Sequence, residues 1–171
     1  MRALLLLWAG LLALGLCGCA GYKLGPTNAA IAGARSIQVN LFQNQTVEPR
    51  LVEAIGSALR KNLQQDGTYR LSTRGEADLV VSGVITRFDR SGLSFQPGDV
   101  LTARDFSAAI VAKINVMERS TGKTILSDRD VAGRTTVRVG ADLPSAERQA
   151  LPLLADDLAR NITSLLVEGT W

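Results

Sequence analysis

The sequence of 171 residues contains no histidine, only two cysteines, and just 5% aromatic residues. Without imidazole there is no Ser-His-Asp or Cys-His nucleophile system, and every zinc centre that relies on histidine is excluded. The two thiols, Cys17 and Cys19, make half of an all-cysteine metal site and stand one residue apart, a spacing poorly suited to a disulfide. Charge of one sign is also scarce: 19 basic residues face 16 acidic ones, for a net +3, with no basic run anywhere. Such a distribution does not mark a nucleic-acid partner. Phosphate-binding glycine loops, a dinucleotide glycine fingerprint and a serine elbow are all missing. The expectation is a protein that is not an enzyme and needs no cofactor and no metal.

Long apolar runs are limited to one. Arg2 precedes ALLLLWAGLLALGL, an uncharged stretch too short, and too abruptly followed by Gly, Cys and Ala, to span a membrane as a mature helix. It lacks the polar face of a buried amphipathic helix and reads as a secretory signal peptide. Signal cleavage ahead of a lipidated cysteine requires a small residue just before it and an aliphatic one three before, and Leu16-Cys17-Gly18-Cys19 meets both conditions at Cys19. Cys17 follows Leu16, which is too large, and so belongs to the discarded segment. Residues 1–18 are therefore expected to be the lipoprotein signal peptide and Cys19 the lipidation site. Each buried acyl CH₂ contributes about 0.8 kcal/mol, so two or three chains anchor a protein to the membrane for practical purposes permanently. Ala20, rather than Asp, resembles the pattern that passes Gram-negative lipoproteins on to the outer membrane.

Residues 19–34 include the turn-rich GPTNAAIAGA and read as a lipidated N-terminus and tether, leaving 35–171 as one domain. SIQVNLF alternates Ile37, Val39 and Leu41 with polar residues and predicts a strand. Thr46 is the expected N-cap, with Pro49 in the first turn, of a helix carrying Leu51, Ile55, Ala58, Leu59 and Leu63. TYRLST and ADLVVSGVITRF predict two more strands, the second interior to a sheet, with Gly83 marking a bulge or a close backbone approach. RSGLSFQPGD, residues 90–99, predicts a loop or hairpin tip. Phe106 to Val116 alternate cleanly, and ERSTGK turns that strand into TILSDRDVAG as an antiparallel hairpin. A final helix places Ala150, Leu154, Leu158, Ile162, Leu165 and Leu166 on one side, with Pro152 beginning or kinking it. The fold class expected is α+β: two helices packed on one face of a mixed β-sheet of about four to five strands.

Few residues carry chemistry. Asp128 and Asp130 share a strand face by their spacing, but with Arg129 between them they read as solvated charges. Asp156 and Asp157 read as surface charges on a helix, and the sequons at Asn44 and Asn161 as chance matches. Arginines are the one group with a binding reading. Arg87, Arg90 and Arg104 flank the hairpin-like loop, and Arg129, Arg134 and Arg138 follow on the next strand, where guanidinium groups can grip phosphate bidentately.

The segments CAGYKL, SIQVNLFQNQTVEPRLVEAIGSALRKNL, ADLVVSGVITRF, LSF and ERSTGKTILSDRDVAG resemble, in order and spacing, the lipopolysaccharide-assembly lipoprotein family LptE. The resemblance implies an outer-membrane lipoprotein on the periplasmic face that partners the β-barrel protein LptD, sits largely within it as a plug, and helps place lipopolysaccharide in the outer leaflet. In that family a basic residue near the loop between the central strands is tied to lipopolysaccharide binding. The matching position here is Gln96, so that role does not carry over, and Arg90 and Arg104 stand as candidate lipopolysaccharide-binding residues instead. SIQVNLFQNQT also resembles the first strand of curli-secretion-type and penicillin-binding-protein-activator lipoproteins, which implies a periplasmic scaffold as the alternative.

Overall fold

In a computed structural model that describes residues 34–96, 98–139 and 142–168, the chain forms six strands and two helices. Their order is β1 (Arg35–Val39), β2 (Gln43–Asn44), α1 (Leu51–Asp66), β3 (Tyr69–Leu71), β4 (Leu79–Gln96), β5 (Asp99–Glu118), β6 (Thr124–Arg138) and α2 (Leu143–Glu168). The expected signal peptide, the expected lipidation site Cys19 and nearly all of the expected tether lie outside the described residues. One sheet runs β3-β1-β4-β5-β6, with β2 paired to β4 beyond the end of β1. β3, β1 and β4 are parallel, whereas β4, β5 and β6 form an antiparallel meander. The α+β class is as expected, and the sixth strand is the two-residue β2.

Periodicity builds the core directly. Leu51, Ile55, Leu59 and Leu63 recur every fourth residue and are fully buried along one side of α1. On β5 the even-numbered Phe106 to Val116 are buried, and β4 adds Leu79, Val81 and Ile85 to the same layer. Leu154, Leu158, Ile162 and Leu166 of α2 close the layer from above. Each such side chain contributes roughly 1.5–3 kcal/mol on full burial.

Four local expectations are corrected. β1 stops at Val39, and the chain bends so that Leu41 faces solvent while Phe42 turns inward. The reason is Gly83: a Cβ there would lie 2.4 Å from the Phe42 ring, so only glycine leaves room for that ring on β4. Thr46 does not cap α1, whose N-cap is Arg50 with no side-chain cap bond, and Pro49 sits in the turn before it. Thr46 instead donates its N–H and hydroxyl to Asn44 Oδ1, at 2.9 and 2.8 Å, and accepts from the Glu48 N–H. Of the loop or hairpin tip expected over 90–99, the hairpin tip holds but is confined to its end: β4 and β5 pair as far as Gln96 and Asp99, because Ser, Gly and Phe in 90–96 tolerate extended backbone once a partner strand satisfies it. Pro152 does not begin α2, which starts nine residues earlier at Leu143 and runs through it, leaving the proline inside the helix. Asp142 caps that start by accepting from the Ser145 N–H at 2.7 Å and the Ser145 hydroxyl at 3.0 Å.

α2 lies directly on the edge strand β6. A Cβ on Gly133 would stand 2.7 Å from both the Cβ and the backbone nitrogen of Leu158, and 2.9 Å from the Leu154 carbonyl. Ala108 and Ala112, near Gly133 across the β5–β6 pair, keep the sheet low at the same place. The closeness lets two α2 side chains reach the strand's outer edge. Asp157 Oδ2 accepts from the Arg134 N–H at 2.9 Å, and the Asn161 amide donates to the Ala132 carbonyl at 2.8 Å. Those backbone groups would otherwise offer a template for pairing with another chain.

Substituting Gly133→Ala is expected to lower stability by about 1–3 kcal/mol, since the new methyl meets helix backbone that cannot yield. Gly56→Ala in α1 meets only the flexible Arg60 guanidinium, at 3.4 Å, and is expected to raise stability by about 0.5–1 kcal/mol. Urea midpoints of the two variants, moving in opposite directions, are the measurement.

Candidate functional site

Both helices cover one face of the sheet, and neither helix covers the other, which is open among the described residues. Along β4, β5 and β6 the in-register rows on the open face read Val84–Lys113–Asp130, then Arg87–Val111–Ala132, Asp89–Ala109–Arg134 and Ser91–Ser107–Thr136. The first three rows mix small or aliphatic residues with charges, and the fourth is all hydroxyl. Lys113 Nζ lies 4.0 Å from Asp130, and Arg87 Nε lies 3.0 Å from Asp89. Most β5 side chains on this side are half-buried, and the surface is a mixture of small apolar, hydroxyl and charged groups.

The far part of the β4–β5 hairpin is tied by one carboxylate. Asp105 accepts from the Ser94 hydroxyl at 2.5 Å and from Arg138 Nε at 3.1 Å, bridging β4, β5 and β6. The Ser94 hydrogen bond, followed by that from Arg138, holds the Asp105 carboxyl below the usual carboxylate range. Leu93 and Phe95 are exposed beside it.

Arg90 stands opposite Ala108 on the helix side of the hairpin. Its guanidinium pairs with Glu147 of α2 and sits 5.6 Å from the centroid of the Phe88 ring. Ser91, Gly92, Phe106 and Leu143 complete a groove of about 290 Å³ around that ion pair. Arg104 is exposed at a register break of β5, where its carbonyl accepts from the Val139 N–H at 2.8 Å. Four strand positions separate it from Ala108, about 13 Å, so the fold does not bring Arg90 and Arg104 onto one anion. Gln96 pairs with Asp99 at the hairpin end.

The other arginines and carboxylates are mostly structural. Arg138 is engaged by Asp105, and the Arg134 N–H by Asp157. Asp128 adopts φ +49° at a bulge, with its N–H bonded to Asn115 Oδ1 at 2.9 Å, which interrupts the alternation that placed it beside Asp130. Asp157 and Asn161, read from sequence as a surface charge and a chance sequon, are the two edge-strand caps. The only signal for them is a polar pair at i and i+4 on the flank of an apolar helix.

A family model described as LptE, lipopolysaccharide-assembly, matches residues 34–166. No curated protein matches the chain. Among solved structures, a Xanthomonas campestris protein aligns with TM-score 0.59 at 9% identity, covering 85% of this chain and 91% of its own. An uncharacterized lipoprotein B from Nitrosomonas europaea aligns with TM-score 0.53 at 12% identity, covering 86% and 90%. A minor lipoprotein from Acinetobacter baumannii aligns with TM-score 0.53 at 14% identity, covering 78% and 93%. At these identities the likeness is one of fold.

Asp105→Asn is expected to lower the thermal midpoint at neutral pH and speed amide exchange near Ser94 and Arg138. Because the folded carboxyl titrates below its unfolded value, its contribution is present above the ordinary carboxylate pKa of about 3.9 and is lost as pH falls through the folded value. The gap between variant and wild type should therefore close on acidification below that range, read as midpoints across a pH series.

Proposed function

Because the chain belongs to the LptE family of lipopolysaccharide-assembly proteins, we propose that it is an outer-membrane lipoprotein, held on the periplasmic face through acylated Cys19, that partners an LptD-type β-barrel. In this reading it is a barrel plug and assembly partner, without catalytic chemistry of its own, and it helps place lipopolysaccharide in the outer leaflet.

The open sheet face is the observation that carries the partnership. Outer-membrane barrels of this kind have polar interiors. A plug must therefore present a surface that is neither fully apolar nor densely charged, because unpaired charge is expensive to bury and bare hydrocarbon gains little against a polar wall. Rows such as Ser91–Ser107–Thr136, with small residues and locally neutralised charges beside them, meet that requirement.

Lipopolysaccharide carries phosphates and acyl chains, and the groove at Arg90 offers a cation above apolar Phe106 and Leu143. Arg90 would exchange the Glu147 carboxylate for a lipid phosphate, while Arg104 would meet a second anionic group farther along the hairpin. Two separate contacts, rather than one bidentate clamp, follow from their spacing.

Extraction of the full-length acylated protein in mild detergent is expected to co-purify a large β-barrel protein. Val111→Arg together with Ala109→Arg, on the open face, should abolish that complex while leaving the circular-dichroism melt of the protein little changed. A clean negative for the unaltered protein rejects the plug, and envelope defects on depletion confined to peptidoglycan would point to the scaffold alternative. For the lipid role, Arg90→Glu and Arg104→Glu should each weaken binding of purified lipopolysaccharide several-fold and nearly additively, whereas unchanged binding removes both arginines from that role.

A further inference from the structure

At the end of the sheet opposite the long hairpin, the loop from β3 to β4 and the first residues of β1 enclose a polar cleft of about 320 Å³. Ser36, Arg70, Ser72, Thr73, Arg74 and Glu76 line it. β1 and β3 run parallel here, Arg35 beside Tyr69 and Ser36 beside Arg70, so the cleft lies at the first two residues of the sheet.

The carboxylates around it are largely committed elsewhere. Asp78 turns onto β1 and accepts from the Ser36 N–H and hydroxyl, each at 2.7 Å, which holds its carboxyl below the usual range. Glu118 is engaged by Arg35 at 2.5 Å. Arg119, in the β5–β6 turn, joins the same end through its N–H to the Asp78 carbonyl at 2.9 Å and its guanidinium to Gln38 Oε1 at 3.2 Å. Among the described residues, the Arg70 and Arg74 guanidiniums hold no ion pair or hydrogen bond, and the Ser72 and Thr73 hydroxyls beside them no partner of their own. Glu76 is the one carboxylate lining the cleft, and it too is in no ion pair.

We propose that this cleft binds the phosphate diester of a phospholipid headgroup, with Arg70 and Arg74 as its cationic walls and the Ser72 and Thr73 hydroxyls as additional donors. The source of the ligand follows from where the chain enters the fold. Cys19 precedes Arg35 by sixteen residues, a reach of about 55 Å at full extension, and the chain arrives beside this cleft. The β4–β5 hairpin leaves in the other direction, from Leu79 and Glu118 at this end to Gln96 and Asp99 at the far end, again about 55 Å. Bound headgroups would hold this end of the domain at the membrane surface on the side where the chain enters the fold. Only the identity of the membrane rests on the Cys19 reading; the anion chemistry rests on the cleft.

Calorimetric titration of the detergent-solubilised full chain with dihexanoyl-phosphatidylglycerol, and separately with inorganic phosphate, tests the site. Saturable lipid binding is expected, weakened about fivefold by Arg70→Gln and about fivefold by Arg74→Gln. Lys61→Gln, on α1, should leave it unchanged, and Thr73→Val, which keeps both charges, should weaken it modestly. Inorganic phosphate should compete, but more weakly than the lipid. Absence of saturable binding, equal losses for Lys61→Gln, or phosphate binding as tightly as the lipid would each overturn the headgroup assignment. Mass spectrometry of the same sample reports acylation of Cys19 independently, so failure of the anchor and failure of the cleft are told apart.

Discussion

The backbone of α2 touches the backbone of β6 at Gly133, and the helix side of the molecule is arranged around that contact. Any side chain at Gly133 would lift the helix and break the reach of Asp157 and Asn161 to the outer edge of β6. With the helix down, Leu154, Leu158 and Ile162 fill the layer over Ile110 and Ile114, and the edge strand is capped by side chains rather than left as a template. One missing methyl group thus decides packing, edge protection and the angle at which the C-terminal helix crosses the sheet. Gly83 plays the smaller, parallel part on β4, where the Phe42 ring takes the space a side chain would occupy.

Because both helices are spent on one face, the other is free among the described residues, and the three proposed contacts occupy different regions of the molecule. The open face of β4, β5 and β6 mixes small aliphatic, hydroxyl and charged residues, a surface suited to another protein's polar wall. Arg90 lies on the helix side, where Glu147 and Phe88 hold it over an apolar groove. The Arg70–Arg74 cleft is at the opposite end, beside the point where the chain enters the fold. The proposed protein, lipopolysaccharide and membrane contacts are separable by mutation at Ala109 and Val111, at Arg90 and Arg104, and at Arg70 and Arg74 respectively.

Much of the fold was legible in the order of residues. The period of two on β5 and the four-residue spacing on α1 map onto buried faces without exception from Phe106 to Val116 and from Leu51 to Leu63. Local rules failed where a distant residue supplied the deciding contact. Leu41 was read inward by alternation, yet Phe42 takes the core position because Gly83, forty-one residues on, has room for its ring. Thr46 looked like a cap, but Asn44 engages its donors first. Residues 90–96 looked like loop until a partner strand satisfied their backbone.

The arginines show the same division. Their clustering around the hairpin is visible in the sequence, but which are neutralised is not: Glu147, fifty-seven residues away, takes Arg90, and Asp105 takes Arg138, whereas Arg70 and Arg74 make no ion pair or side-chain hydrogen bond among the described residues. By itself the sequence determined the absence of histidine chemistry, the alternation of elements and the family likeness, and it raised the expectation of lipidation at Cys19, since each depends only on neighbouring residues or on composition. Tertiary structure alone decided the strand order, the face left open, the helix contact at Gly133 and the pairing state of each charge. Those depend on separations through space that chain order does not encode locally, and they settle only when the sheet and both helices have packed.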